Sequence, residues 1–383
     1  MKEISLIGVT GSIGQQTLAV VRRLKGKIRI KSMVANSSCN DFLAAVEEFK
    51  PEYAALVSEA SGRRIKAKIP QGVKFACGER AALDAVSYGD TCVVAATGFA
   101  GLKYTLEAIE RKKDVALANK ESLVCGGALV MQKAREACVK ILPIDSEHSA
   151  LWQALGFNPE AKFRRLILTA SGGPFYGYTK EQLENVTVKE ALNHPTWKMG
   201  EKVTIDCATL LNKGYEVIEA HHLYNAPLEK IHTVVHPTSI IHSMVEFDDG
   251  AVLAQMSYPS MELPIQLALT YPEREAGAVK PIDWTTLAPL QFLPLERKAF
   301  PCYHLALCSL EDGDNYPCSL NGAGEVAVKA FLNKKIPFTA ISKVIEDVLC
   351  KTKRKSATSY DALLETDARA RMLAESAVEK HAR

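Results

Sequence analysis

Seven short, almost wholly apolar runs punctuate the first 145 residues: ISLIG, IRIKSMVA, YAALVS, VKFACG, CVVAATG, DVALAN and ILPID. A strand this apolar is buried on both faces, and the amphipathic stretches between the runs, such as Gly101 to Arg111, supply helices to cover them. Residues 1–145 are therefore expected to form a doubly wound α/β domain that binds a dinucleotide. The chain has 383 residues, too many for one core, so two or three domains are expected.

Beyond residue 145 the rhythm changes. RRLILTA reads as a strand, followed by a polar stretch from Ser171 to Gly200 that suits either a lid or an ordered excursion. IDCATLLNKGYEVIEAHHLY reads as one helix, and SIIHSMVEFDDGAVLAQMS as two strands joined at Asp248-Asp249-Gly250. These elements predict an α+β catalytic domain over 146–280. Pro272, Pro281, Pro289, Pro294 and Pro301 then interrupt the chain, which marks 281–300 as a connector. Helical periodicity in GEVAVKAFLNKK, FTAISKVIEDVL and DALLETDARARMLAESAVEK predicts a C-terminal helical bundle over 301–383.

The formal charge of +3 is spread without a basic stripe, which argues against a nucleic-acid partner; Lys351, Lys353, Arg354 and Lys355 read as a solvated loop. Ten cysteines lie singly, with no CxxC pair and no zinc spacing around Cys302 and Cys308. Reduced thiols in a reducing, cytoplasmic setting are the expectation. No apolar stretch has the ~18 residues of a membrane span. MKEISLIG enters a strand pattern at once and leaves no room for a signal peptide.

Gly8-Val9-Thr10-Gly11-Ser12-Ile13-Gly14 follows the first strand and opens a helix. Glycines there permit a tight turn and let backbone approach a pyrophosphate at the helix N-terminus, although a plain glycine-rich turn would read the same. The second run ends in Asn36-Ser37-Ser38, with no carboxylate in that turn to hold a ribose 2′-hydroxyl, which favours NADPH over NADH. Thr97-Gly98 is either a second cofactor turn or a strand exit.

Asp145 and Glu147 end the ILPID run. On a strand they would share a face and suit a hard cation such as Mg²⁺ or Mn²⁺; alternatively Asp145 caps the next helix and Glu147 lies in its first turn. Asn212, Lys213 and Glu216 fall within about 100° of a helix circumference, a face fit for phosphate and metal or simply an exposed ion pair. Ser171-Gly172-Gly173-Pro174 is a phosphate-suited turn. Lys120 is either a surface charge or a group that steadies a developing alkoxide. His194 and Trp197 either close over a ligand or pack their own segment.

GVTGSIG, LANKESLV, PIDSEHSA, TASGGPF, HPTWKMG, DCATLLNKGYEVIEA and HPTSIIHSMVEFDDGAVLAQM occur in that order along nearly the whole chain. Together they resemble the 1-deoxy-D-xylulose 5-phosphate reductoisomerase family. The resemblance implies a homodimeric enzyme that converts 1-deoxy-D-xylulose 5-phosphate to 2-C-methyl-D-erythritol 4-phosphate in non-mevalonate isoprenoid synthesis, with sensitivity to fosmidomycin. It implies Asp145, Glu147 and Glu216 as metal ligands, and Thr10, Gly11, Ser12, Ile13, Asn119, Glu121 and Gly200 as cofactor contacts. Lys120, Ser146, Ser171, His194, Asn212 and Lys213 match the family's substrate contacts, and Glu147, Trp197, Cys207 and Glu216 join that candidate set. In the implied mechanism the metal binds the ketone and neighbouring hydroxyl oxygens through a retro-aldol/aldol shuffle, and hydride from NADPH reduces the resulting aldehyde.

Four departures accompany the match. Cys207 stands where the family commonly has a phosphate-binding Ser, and by the phase of a single helix it lies off the Asn212/Glu216 face. Ser37 replaces a basic residue found in some members. Ser257 and Ser260 in SYPSM, and Gly324 in NGAGEVAV, depart at positions that read as peripheral. Two rival readings are a metal-independent NAD(P)-dependent dehydrogenase and a non-catalytic dinucleotide sensor.

Overall fold

The computed structural model describes residues 1–296 and 299–382. Each of the seven apolar runs is a strand: β1 (Lys2–Ile7), β2 (Ile28–Ala35), β3 (Tyr53–Leu56), β4 (Lys74–Cys77), β5 (Thr91–Val94), β6 (Asp114–Leu117) and β7 (Ile141–Pro143). They form one parallel sheet in the order β4-β3-β2-β1-β5-β6-β7. Ile4, Leu6, Val93 and Ala116 are wholly buried, as strands covered on both faces require. Polar residues inside the sheet are satisfied rather than excluded: Ser5 and Ser32 both donate to the Ala85 carbonyl, at 2.9 and 2.6 Å. The strand order reverses at β1/β5, so a crevice opens there beyond the strands' C-terminal ends.

The chain divides into two compact units, each assembled from three stretches. The first takes Met1–Asn119, Val130–Ser149 and Ser260–Lys280. Within it, the helix Glu262–Thr270 lies against the helix Ser12–Arg23, where Arg23 binds Glu262 at 2.5 Å and Gln266 at 3.1 Å. The sequence reading keeps Ser260–Lys280 with the second region, because contacts so distant along the chain leave no local pattern.

The second unit takes Lys120–Leu129, Ala150–Pro259 and the chain from Pro281 onward. Its sheet, in the order β11-β10-β8-β9, contains β8 (Arg165–Ala170), β9 (Ile231–Val235), β10 (Ile241–Glu246) and β11 (Val252–Met256). β8 and β9 run parallel and the other neighbours antiparallel. The turn after β10 is the expected one: Gly250 has φ +87° and Asp249 accepts from the Ala251 N–H at 2.9 Å. Strand β9, with His232 and Thr233 among its few apolar residues, is not anticipated from the sequence.

Four helices, Pro301–Asp312, Tyr316–Leu332, Ala340–Lys351 and Tyr360–Lys380, form the C-terminal region. Pro301 starts the first of them, where its missing N–H costs nothing. Among the described residues no helix is long and apolar enough to cross a membrane. All ten cysteines are free thiols.

One expectation is corrected and one open choice is decided. Residues 205–224 are not one helix but the end of Glu201–Ala208 and the whole of Leu211–Tyr224, separated by Leu210 at φ +58°. At the break the Thr209 hydroxyl donates back to the Ile205 and Asp206 carbonyls and accepts from the Leu211 N–H. Of the two placements open for Asp145 and Glu147, the structure has the helix start, because β7 stops at Pro143. Asp145 caps the helix Ser146–Ala154: its carbonyl accepts from the Ser149 N–H at 2.8 Å and its Oδ1 from the Ser146 N–H at 3.0 Å. The stretch 171–200 resolves as an ordered excursion, in which Lys180–Leu183 and Val188–Ala191 are each closed by a capping box.

Candidate active site

In the first unit the glycine-rich loop is shaped by contacts that forbid side chains. Gly8 has φ +91°, and a Cβ there would lie 2.5 Å from the Ala95 carbonyl at the end of β5. A Cβ at Gly14 would collide with the Gly8 and Val9 carbonyls, so this glycine lets the helix Ser12–Arg23 close onto β1. Gly11 differs, since its nearest obstacle stands 3.4 Å away. It caps a helix whose first turn carries no acid and whose first N–H groups have no partner within the helix, a setting suited to a pyrophosphate. Thr10 is half-buried and Ser12 exposed beside it.

Other candidate residues follow the C-terminal ends of the same sheet. Asn36 and Ser37 are exposed after β2, and the Ser38 hydroxyl donates to Asp41, in the first turn of the next helix, at 3.2 Å. Asn119 follows β6 and is buried; its amide donates to the Gly98 carbonyl at 3.0 Å and occupies the space left by Gly101. Gly98, with φ +69°, thus both turns the chain and fixes Asn119. After β7, the Ser146 hydroxyl donates to Glu147 Oε2 at 2.6 Å, and His148 lies fully buried with Nδ1 3.6 Å from Asp145 Oδ2. His148 was not picked out from the sequence, although its i,i+3 spacing from Asp145 was a usable signal.

The second unit concentrates charge around Glu216, which is 1% exposed. Lys120 Nζ lies 2.9 Å from Glu216 Oε1, the Asn212 amide donates to the same oxygen at 2.5 Å, and Lys213 pairs with Oε2. Lys213 is itself buried and donates to the Thr169 carbonyl at the end of β8. The helical phase therefore places Asn212, Lys213 and Glu216 together as expected, in a buried rather than a surface setting. Lys120 and Lys213 thus bring two ammonium groups to one carboxylate, donors of the kind that phosphate or another anionic ligand uses.

Ser171 and His194 form a second polar pair, Oγ to Nε2 at 3.0 Å. His194 Nδ1 accepts the backbone N–H groups of Thr196 and Trp197 at 3.2 and 3.0 Å, which places the proton of the neutral ring on Nε2. Burial pushes its pKa down to about 4, so the ring is neutral at physiological pH. Ser171 Oγ accepts from that Nε2–H and from the Gly173 N–H at 3.2 Å, leaving its own hydroxyl proton to donate outward. Trp197 packs edge-on to His242, with ring centroids 6.0 Å apart.

Three family profiles match this chain: 1-deoxy-D-xylulose 5-phosphate reductoisomerase over residues 4–127, its C-terminal domain over 141–224, and a further DXP reductoisomerase C-terminal domain over 256–373. The chain belongs to the 1-deoxy-D-xylulose 5-phosphate reductoisomerase family. It is 45% identical over 373 residues to the reductoisomerase of Protochlamydia amoebophila, covering 97% of each chain. It is 43% identical over 376 residues to that of Thermodesulfovibrio yellowstonii, covering 98% of each. Among solved structures, the Zymomonas mobilis enzyme in complex with NADPH superposes with a TM-score of 0.93 at 37% identity, over 99% of each chain. A DOX-P reductoisomerase in complex with NADPH, fosmidomycin and magnesium gives 0.94 at 36% identity, covering 99% of this chain and 98% of that one.

The departures from the family pattern now have surroundings. Cys207 occupies the last turn of Glu201–Ala208, and the glycine turn after Ser171 packs on it closely enough that a Cβ at Gly173 would lie 2.8 Å from its carbonyl. Burial, reinforced by Glu216, raises the Cys207 thiol above its ordinary value and keeps it protonated. The helix break removes the phase objection, because Cys207 and Asn212 do not share one helix. Ser257 accepts or donates to His242 Nε2 at 2.9 Å, one contact from Trp197. At Gly324 a Cβ would lie 2.9 Å from the Tyr215 hydroxyl, so this glycine gives room to the helix that carries Glu216.

Proposed function

We infer that this chain carries out its family's reaction, the NADPH- and divalent-metal-dependent isomerisation and reduction of 1-deoxy-D-xylulose 5-phosphate to 2-C-methyl-D-erythritol 4-phosphate. The observation that carries the residue-level reading is the buried Glu216 carboxylate, gripped by Lys120, Asn212 and Lys213. The donor chemistry fits both groups the reaction needs. Three carboxylates, Asp145, Glu147 and Glu216, are hard oxygen ligands for Mg²⁺ or Mn²⁺. The loop Thr10, Gly11, Ser12 and Ile13 offers backbone to a pyrophosphate, and Asn36, Ser37, Ser38, Asn119, Glu121 and Gly200 complete the proposed NADPH contacts.

When bound, the metal supplies Lewis acidity toward the substrate oxygens and NADPH supplies the hydride. The chain's own residues do the rest. Lys120 holds a positive charge where negative charge develops on a substrate oxygen. Ser171 donates its hydroxyl proton to a phosphate oxygen, oriented by the neutral His194 ring. Lys213 and Asn212 add an ammonium and an amide to the same face, Ser146 orients Glu147, and Trp197 helps exclude water. Cys207 offers the phosphate a weaker donor than a serine would.

We further propose a cytoplasmic homodimer that binds fosmidomycin. A second copy of the chain is supported by the open edge strand β11, whose Val252 and Leu253 are 48% and 51% exposed. The test of the reaction is NADPH oxidation followed at 340 nm with the purified deoxyxylulose phosphate and Mg²⁺. EDTA is expected to abolish it and Mg²⁺ to restore it. Undiminished turnover in EDTA would return the reading to a metal-independent dehydrogenase, and NADPH binding without turnover to a sensor.

A further inference from the structure

Lys202, two residues beyond Gly200, belongs to none of the functional sets above. Its ammonium joins two buried carboxylates from separate segments: Asp206 Oδ2 at 2.7 Å, one turn along the same helix, and Glu121 Oε1 at 3.2 Å. Nζ also lies 5.5 Å from the centroid of the Tyr215 ring, directly before Glu216 in sequence. Glu325, on the helix Tyr316–Leu332, is a third acid in its field. Glu325 is in turn bound by Arg371 at 2.6 Å, and Arg371 by Asp367 at 2.6 Å, so the network is anchored in the C-terminal helices. Burial works against the charge on Lys202, but Asp206, Glu121 and Glu325 outweigh it and keep the group protonated.

Each acid on Lys202 adjoins a residue of the proposed site. Glu121 follows Lys120, whose Nζ holds Glu216, and Asp206 precedes Cys207. All of these residues lie in the second unit. Removing the ammonium would take from Asp206 and Glu121 the cation they share, and would loosen Glu121, the immediate neighbour of Lys120.

We propose that Lys202 is a positioning residue for the reaction, which fixes Glu121 for the dinucleotide and Lys120 on Glu216 by holding Glu121 and Asp206 on one ammonium. This rests on the cofactor and substrate contacts proposed for Glu121 and Lys120. Lys202 differs from an ordinary stabilising ion pair in acting through a named carboxylate, and that link is measurable.

The experiment compares the wild-type enzyme with K202M, K202R, E121Q and the K202M/E121Q double variant. NADPH affinity is read by fluorescence, kcat and KM at 340 nm, and folding by circular dichroism. K202M is expected to bind NADPH about 10-fold more weakly and to lose about 10-fold in kcat, the usual scale for a group that orients a ligand. K202R is expected to stay within about 3-fold of wild type, because it keeps the charge. The double variant is expected to bind NADPH no more than about 2-fold more weakly than K202M alone, since both changes cut one link. Unchanged NADPH affinity in folded K202M, or additive losses in the double variant, would overturn the proposal. Should K202M not fold, D206N reads the same link by loosening the shorter contact. About 3-fold weaker NADPH binding is then expected, and wild-type affinity would overturn the proposal. Failure of the wild type to turn over the deoxyxylulose phosphate would strike the proposed function instead, while the NADPH affinities would still judge Lys202.

Discussion

The two units build their functional surfaces from different materials. In the first, the glycine loop offers backbone at the ends of parallel strands, shaped by glycines at 8, 11, 14, 98 and 101 that either leave room or turn the chain, with the side chains of Asn119, Asp145 and Glu147 at other strand ends. In the second, they are charged side chains, the half-buried Lys120 and the buried Lys213 and Glu216, held on one another. A backbone site tolerates most side-chain changes and fails where a glycine gains a Cβ. A buried charge cluster fails whenever one member is neutralised, because its partners remain desolvated.

Four measurements bear on that contrast. Glu216→Gln leaves Lys120 and Lys213 facing a neutral amide, and kcat is expected to fall by ~10²-fold or more; a loss under about 5-fold would mean that the charge cluster is not catalytic. Gly14→Ala and Gly11→Ala separate two roles within the backbone site. The first should destabilise the chain by about 1–3 kcal/mol through overpacking against the Gly8 and Val9 carbonyls, seen as a lowered Tm. The second should leave Tm nearly unchanged and weaken NADPH alone, and equal effects on Tm would erase the distinction.

The third measurement concerns His194, whose pKa is depressed to about 4 by burial. As pH falls through the ordinary value of about 6.5, the unfolded chain takes up a proton that the folded ring refuses. The stability that His194 contributes is therefore full above about pH 6.5 and lost as pH approaches 4. Relative to His194→Gln, the wild type's advantage in denaturant midpoint should shrink over that window; an advantage that grows toward acid would refute the neutral-ring assignment. The smallest effect is expected from Cys207→Ser. One better hydrogen bond to phosphate, about 0.5–1.5 kcal/mol, should lower KM for the sugar phosphate by about 2- to 10-fold.

What could be read from the sequence follows the same division. All seven strands of the first sheet were legible, since each is an unbroken apolar run, and the glycine loop was legible because turns demand particular residues. The Asn212–Lys213–Glu216 face was legible from helical phase. Its burial was not, because nothing local distinguishes a buried Lys–Glu pair from a solvated one. The break at Leu210 escaped notice because Leu211 and Leu223 continue an apolar helical pattern and the signal was one threonine hydroxyl folding back on its own helix. For Asp145 and Glu147 the sequence leaves a strand end and a helix start equally open, because the apolar run continues two residues past Pro143, where β7 ends. Lys202 was missed for a related reason: the Lys202–Asp206 spacing is that of any exposed i,i+4 pair, and Glu121 lies 81 residues away.

Mn²⁺ titration followed by electron paramagnetic resonance tests Asp145, Glu147 and Glu216 as metal ligands without relying on turnover. One Mn²⁺ per wild-type chain is expected, with binding at least about 10-fold weaker in both Asp145→Asn and Glu216→Gln. Wild-type Mn²⁺ affinity in Glu216→Gln would contradict that assignment.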